Sequence, residues 1–123
     1  MSYILGVMSD PTVGKLQLAA LLAVARLGPE EAYGLAVQRD LAARTGRAYA
    51  VGAVHTTLQR LEDKGLLTSH MSAPLPVRGG RARRHFTVTA AGQRALADAH
   101  RVAAAVWAGV APPVAVPARP EPA

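Results

Sequence analysis

The chain has 123 residues, 14 Lys and Arg against 8 Asp and Glu, and a formal net charge of +6 at neutral pH. That length suits one domain with one core and is short for two, while the positive balance favours a polyanionic partner, nucleic acid before an anionic membrane surface. No cysteine is present, which excludes a disulfide framework and a thiolate metal site and points to a cytoplasmic protein.

The opening "MSYILGVMSDPTVG", residues 1–14, has no Lys or Arg ahead of its brief apolar run, which a secretory leader needs, so it reads as an N-terminal arm. "KLQLAALLAVARL", residues 15–27, predicts a helix stopped by Gly28 and Pro29. Leu18, Leu21, Leu22 and Ala25 form one stripe, and Leu16, Ala20, Ala23 and Leu27 leave the opposite face apolar too. A helix apolar all round is buried on both sides, and in so small a domain the second side is most simply covered by another subunit.

"YGLAVQRDLAART", residues 33–45, predicts a second helix, with Glu30 and Glu31 ahead of it at the positive end of its dipole. Tyr33, Val37 and Leu41 make its buried stripe and Gly46 its stop. A third helix begins at Val51 and ends at Gly65, with Val51, Val54, Leu58 and Leu61 facing inward. Gly52, Thr56, Gln59 and Asp63 lie opposite, and His55 and Arg60 lie on the flanks.

"LLTSHMS", residues 66–72, and "RHFTVT", residues 84–89, predict two strands, the second with Phe86 and Val88 inward and His85 and Thr87 outward. Between them the wing loop, residues 74–83, is longer than a two-residue turn, with Gly79 and Gly80 among Arg78, Arg81 and Arg83, and Arg84 follows at the start of the second strand. Thr89 is placed to cap a last helix over residues 90–110, where Leu96, Ala103, Trp107 and Val110 share a stripe with Ala99 and His100 beside it. The Pro/Ala-rich tail 111–123 is expected to be disordered. The uncharged stretch 102–118 is broken by Pro112 and Pro113, which excludes a transmembrane span.

Three helices, a basic-tipped hairpin and a final helix suit a mainly α fold with a small β-hairpin, a winged helix-turn-helix over 15–89. In that arrangement the second helix of the motif enters the major groove of double-stranded DNA. Gly52, His55, Thr56, Gln59 and Arg60 are then the candidate base-facing residues, since Gln pairs with adenine, Arg with guanine and Thr with either edge or a thymine methyl. Arg78, Gly79, Gly80, Arg81, Arg83 and Arg84 are candidates for a sequence-blind grip on phosphate.

"AYGLAVQRDLAARTGRAYAVGAVHTTLQRLEDKGLL" followed by "RGGRARRHFTVTAAG" resembles the PadR-type transcriptional regulators, over about residues 15–100. The resemblance implies a winged-helix DNA-binding domain and a homodimer formed by the C-terminal helix (90–110) packed with the N-terminal helix. It further implies a repressor, in some members released when a small aromatic molecule binds at the dimer interface. A two-fold dimer presents its recognition helices symmetrically, so the expected operator is an inverted repeat. His55 stands where the family usually carries a tyrosine, and the short last helix matches the small subgroup.

Trp107 packs in the dimer core or, with His100 and Ala103, lines a pocket for a planar effector. The four histidines at 55, 70, 85 and 100 form no chelating pair, so no metal and no cofactor is expected. No nucleophile or acid pair sits in a recognisable catalytic setting, so the chain is not read as an enzyme. The rival reading is a winged-helix protein-interaction module that binds an acidic protein partner.

Overall fold

The computed structural model describes residues 13–73 and 82–111. Four helices and a hairpin follow one another: α1 (Lys15–Leu27), α2 (Gly34–Thr45), α3 (Val51–Asp63), β1 (Leu67–Met71), β2 (Arg84–Val88) and α4 (Ala90–Trp107). Gly28, Gly46 and Gly65, all at positive φ, follow the ends of the first three helices. The last helix stops at Trp107, short of Val110, and Arg78, Gly79, Gly80 and Arg81 lie outside the described residues, as do most of the N-terminal arm and the Pro/Ala-rich tail.

Helical spacing sends Ala20, Leu21, Ala23 and Val24 of α1, Val37 and Leu41 of α2, and Val54, Leu58 and Leu61 of α3 into one core. Leu66, Leu67 and Phe86 close it from the hairpin side. Each Leu, Val or Phe among them contributes about 1.5–3 kcal/mol on burial, and each alanine less. Thr57 shares the inner face of α3, and its hydroxyl is satisfied there by donating to the Ala53 carbonyl at 2.7 Å.

The hairpin is antiparallel, with Leu67 opposite Val88, Ser69 opposite Phe86, and Met71 opposite Arg84. A further lane is laid along β2 by the segment before α2. The Phe86 amide donates to the Ala32 carbonyl at 2.8 Å, and Tyr33 forms a bridge with His85. This pairing holds Tyr33 extended, so α2 starts at Gly34 instead of Tyr33.

On α3 and on β2 one side chain each departs from the facing expected of it. Val51, expected inward, is 45% exposed because the first turn of α3 overhangs the core. His85, expected outward, is 8% exposed, because Tyr33 and His70 cover that side of the strand.

The start of α4 is pinned to the turn between α3 and β1. Thr89 accepts from the Gly92 amide at 3.0 Å, the expected cap, and its hydroxyl donates to the Gly65 carbonyl at 2.7 Å. Gly92 sits so near the Leu66 carbonyl that no Cβ fits between them. Beyond Ala99 the helix leaves the body, and residues 100–111 are exposed. Among the described residues, no helix is long and apolar enough to cross a membrane.

Candidate nucleic-acid interface

The inner face of α3 is held by the core, so its outer face is presented as a fixed surface. Gly52, His55, Thr56, Gln59 and Arg60 are all exposed on it. Its approach turn is tied by Gln38, whose amide donates to the Tyr49 carbonyl at 2.6 Å. Gly52 meets open space: a Cβ there would have nothing within 4 Å. Packing does not require a glycine at this position, although glycine costs a helix interior about 1 kcal/mol relative to alanine.

His55 reaches toward α2. An added Cβ on Gly34 would come within 2.5 Å of the His55 Cε1, so the ring occupies the space that the glycine vacates. This contact explains the glycine of the "AYG" segment.

Further along α3 a polar chain joins helix to hairpin. Gln59 Nε2 donates to Asp63 Oδ1 at 2.9 Å, and Arg84 Nη1 donates to Gln59 Oε1 at 3.1 Å. The same Arg84 nitrogen lies 3.8 Å from Glu62 Oε1, and Ser69 Oγ donates to Glu62 Oε2 at 2.5 Å. Arg84, expected to grip phosphate together with the loop arginines, stands at the start of β2 where its strand was expected to begin. Its guanidinium turns to α3, a contact that nothing local in the sequence signals.

Arg83, one residue earlier, lies with its guanidinium 4.3 Å from the centre of the Tyr33 ring. Tyr33 packs at 5.6 Å on His85, which stacks at 5.5 Å on His70. The column Arg83, Tyr33, His85, His70 thus braces the hairpin on the face away from the core, and His85 Nδ1 is buried in it without a hydrogen-bond partner. Only two of the evenly spaced histidines meet in this way. No group of three or more metal-binding side chains occurs among the described residues.

The body behind this surface is stiffened by an ion pair between helices. Arg26 of α1 donates to Asp40 of α2, and Arg44 adds a bond at 3.3 Å. The Arg26 hydrogen bond, partly opposed by desolvation and reinforced by Arg44, holds the Asp40 carboxyl below its ordinary pKa.

On the far side, α4 and the start of the described chain enclose an open groove of about 850 Å³. Val13, Leu66, Ala95, Val102, Ala103 and Trp107 supply apolar lining, with Lys64, Arg94 and Asp98 among its charged residues. Trp107 is 51% exposed. His100 is exposed on α4 and does not line the groove.

Comparison with known proteins agrees with this architecture. A PadR family transcriptional regulator from Eggerthella lenta is similar, at 27% identity and a TM-score of 0.59 over 74% of this chain and 76% of that one. RosR of H. salinarum is 24% identical with a TM-score of 0.61, covering 82% of this chain and 83% of its own. A PadR family transcription regulator from Clostridium difficile is 20% identical with a TM-score of 0.61, covering 76% and 95% respectively. No curated protein matches the sequence. The profile of the family described as "Transcriptional regulator PadR-like family" matches residues 21–98. With that span, its mostly helical body and its two-stranded wing, the chain belongs to the PadR-like family of DNA-binding transcriptional regulators.

Proposed function

We propose that the protein is a homodimeric repressor that binds an inverted-repeat operator with α3 in the major groove and releases it when a small aromatic effector binds. The observation that carries this reading is the outer face of α3. Five exposed residues, Gly52, His55, Thr56, Gln59 and Arg60, form a surface rich in donors and acceptors, backed by a rigid core. Side chains of these types match major-groove edges, and Arg83 with the loop arginines Arg78 and Arg81 adds charge for the flanking phosphates.

Dimer formation is supported by the free part of α4. Val102, Val106 and Trp107 are 43–73% exposed there and Val110, just past its end, is 59% exposed, an apolar surface of the kind that a second subunit covers. The groove beside Trp107 and Ala103 has the apolar walls that suit a planar ligand.

The test is a mobility-shift titration against duplexes from around the protein's own coding region, with and without planar aromatic compounds, while Trp107 fluorescence is followed. Preferential binding of an inverted repeat by two chains, weakened by a compound that also quenches Trp107, supports the reading. Equal affinity for specific and random duplexes refutes it and returns the acidic protein partner as the ligand of this surface.

A further inference from the structure

The hydrogen bonds around Gln59 carry more than a link between helix and hairpin. A primary amide offers two lone pairs on oxygen and two N–H groups on nitrogen. Arg84 uses one lone pair of Gln59 Oε1 at 3.1 Å, and Asp63 uses one N–H of Nε2 at 2.9 Å. One acceptor site and one donor site remain.

The two partners also fix which end of the amide is which. Rotating it by half a turn would set its NH2 against the Arg84 guanidinium and its oxygen against the Asp63 carboxylate, two repulsive pairings in place of two attractive ones. Adenine presents N7 as an acceptor and N6–H2 as a donor in the major groove, whereas guanine presents two acceptors, N7 and O6. The remaining sites of a fixed Gln59 complement the first pattern and oppose the second.

We propose that Arg84 and Asp63 are positioning residues that preset the Gln59 amide to read adenine, one adenine in each half-site. The proposal rests on α3 being the recognition helix. It gives Arg84 a different task from the phosphate contact expected of it: the guanidinium orders a side chain that otherwise loses rotamer freedom on binding, and the bonds strengthen as DNA displaces water from α3.

The two tasks give opposite results in one experiment. Binding of the full-length protein is measured against its inverted repeat and against repeats carrying each single base-pair change, at several salt concentrations. Gln59→Ala is expected to abolish preference at one A·T pair per half-site, a loss of about tenfold in discrimination. Arg84→Met is expected to reduce discrimination at that same pair, to leave the salt slope unchanged, and to add nothing to Gln59→Ala in the double variant. Arg84→Lys, which keeps a donor, restores part of the preference.

Asp63→Ala, on the exposed side of α3, repeats the test without touching the hairpin. Discrimination that survives both Arg84→Met and Asp63→Ala, with the slope of log affinity against log salt reduced by about one phosphate in Arg84→Met, overturns the positioning role and leaves the recognition helix standing. If Gln59→Ala itself leaves every base preference intact, Gln59 is no reader, and the positioning proposal falls with that assignment.

Discussion

The His55 imidazole lies against Gly34 so closely that a methyl group on Gly34 would meet its Cε1 at 2.5 Å. The two residues belong to α3 and to the first position of α2, so the contact sets how these two helices meet. Gly34→Ala forces the ring aside, which an exposed histidine can do at modest cost. The expected result is a loss of about 1 kcal/mol in stability but a larger loss of operator affinity, because His55 is turned from its place. Combining it with His55→Ala should recover the stability lost; a chemical-denaturation cycle in which the two effects simply add would contradict the contact.

Gly92 makes a harder demand. A side chain there collides with the Leu66 carbonyl and comes within 2.7 Å of Val88 Cγ1, and backbone cannot step aside as a ring can. Gly92→Ala should cost about 1–3 kcal/mol or more, read as a lowered urea midpoint. A midpoint unchanged from the parent would mean that α4 is not seated against the α3–β1 turn as described.

Gly52 should behave in the opposite way. Its Cβ position is open, so Gly52→Ala is expected to raise stability by about 0.5–1 kcal/mol while weakening DNA binding, since a methyl group would stand between α3 and the groove. Thermal melts and mobility shifts on the same sample check both signs. Stabilisation without any loss of affinity would remove Gly52 from the interface.

Asp40 gives a pH dependence of known sign. Arg26 first, then Arg44, lowers its pKa in the folded protein, so the folded state binds the proton less readily than the unfolded chain does. The pair therefore stabilises fully above the unfolded value near pH 4, and that contribution disappears as pH falls through the lower folded value. Asp40→Asn should be less stable than the parent near pH 7 by about 0.5–1 kcal/mol. The gap should close below pH 4, and a gap that widened on acidification would contradict the sign.

The helices and the hairpin were legible because their signals are local: apolar residues at helical spacing, glycine stops, and alternation in "RHFTV". What was not legible depends on neighbours distant in sequence. Periodicity put Val51 with Val54 and Leu58, yet the end of a helix can project past the core that its middle fills. Alternation put His85 outward, but Tyr33 comes from before α2 to cover it. Charge clustering put Arg84 among the phosphate-gripping arginines, whereas its hydrogen bond goes to Gln59 on α3. The exposed face of α3 followed from the same periodicity that buried its other side, which is why its residues could be named from sequence, while the hydrogen bonds that orient Gln59 could not.

The absence of cysteine in the chain makes the most direct test simple. Thr56→Cys, on the exposed face of α3, provides a single attachment point for an iron-chelate cleavage reagent. If α3 is the recognition helix of a two-fold dimer, the labelled protein cuts its operator in two symmetric clusters, about one or two helical turns apart, and a label at Glu30 gives neither cluster. Cutting that is absent, or that is scattered without symmetry while the label remains attached and the operator remains bound, would contradict the placement of α3 against DNA.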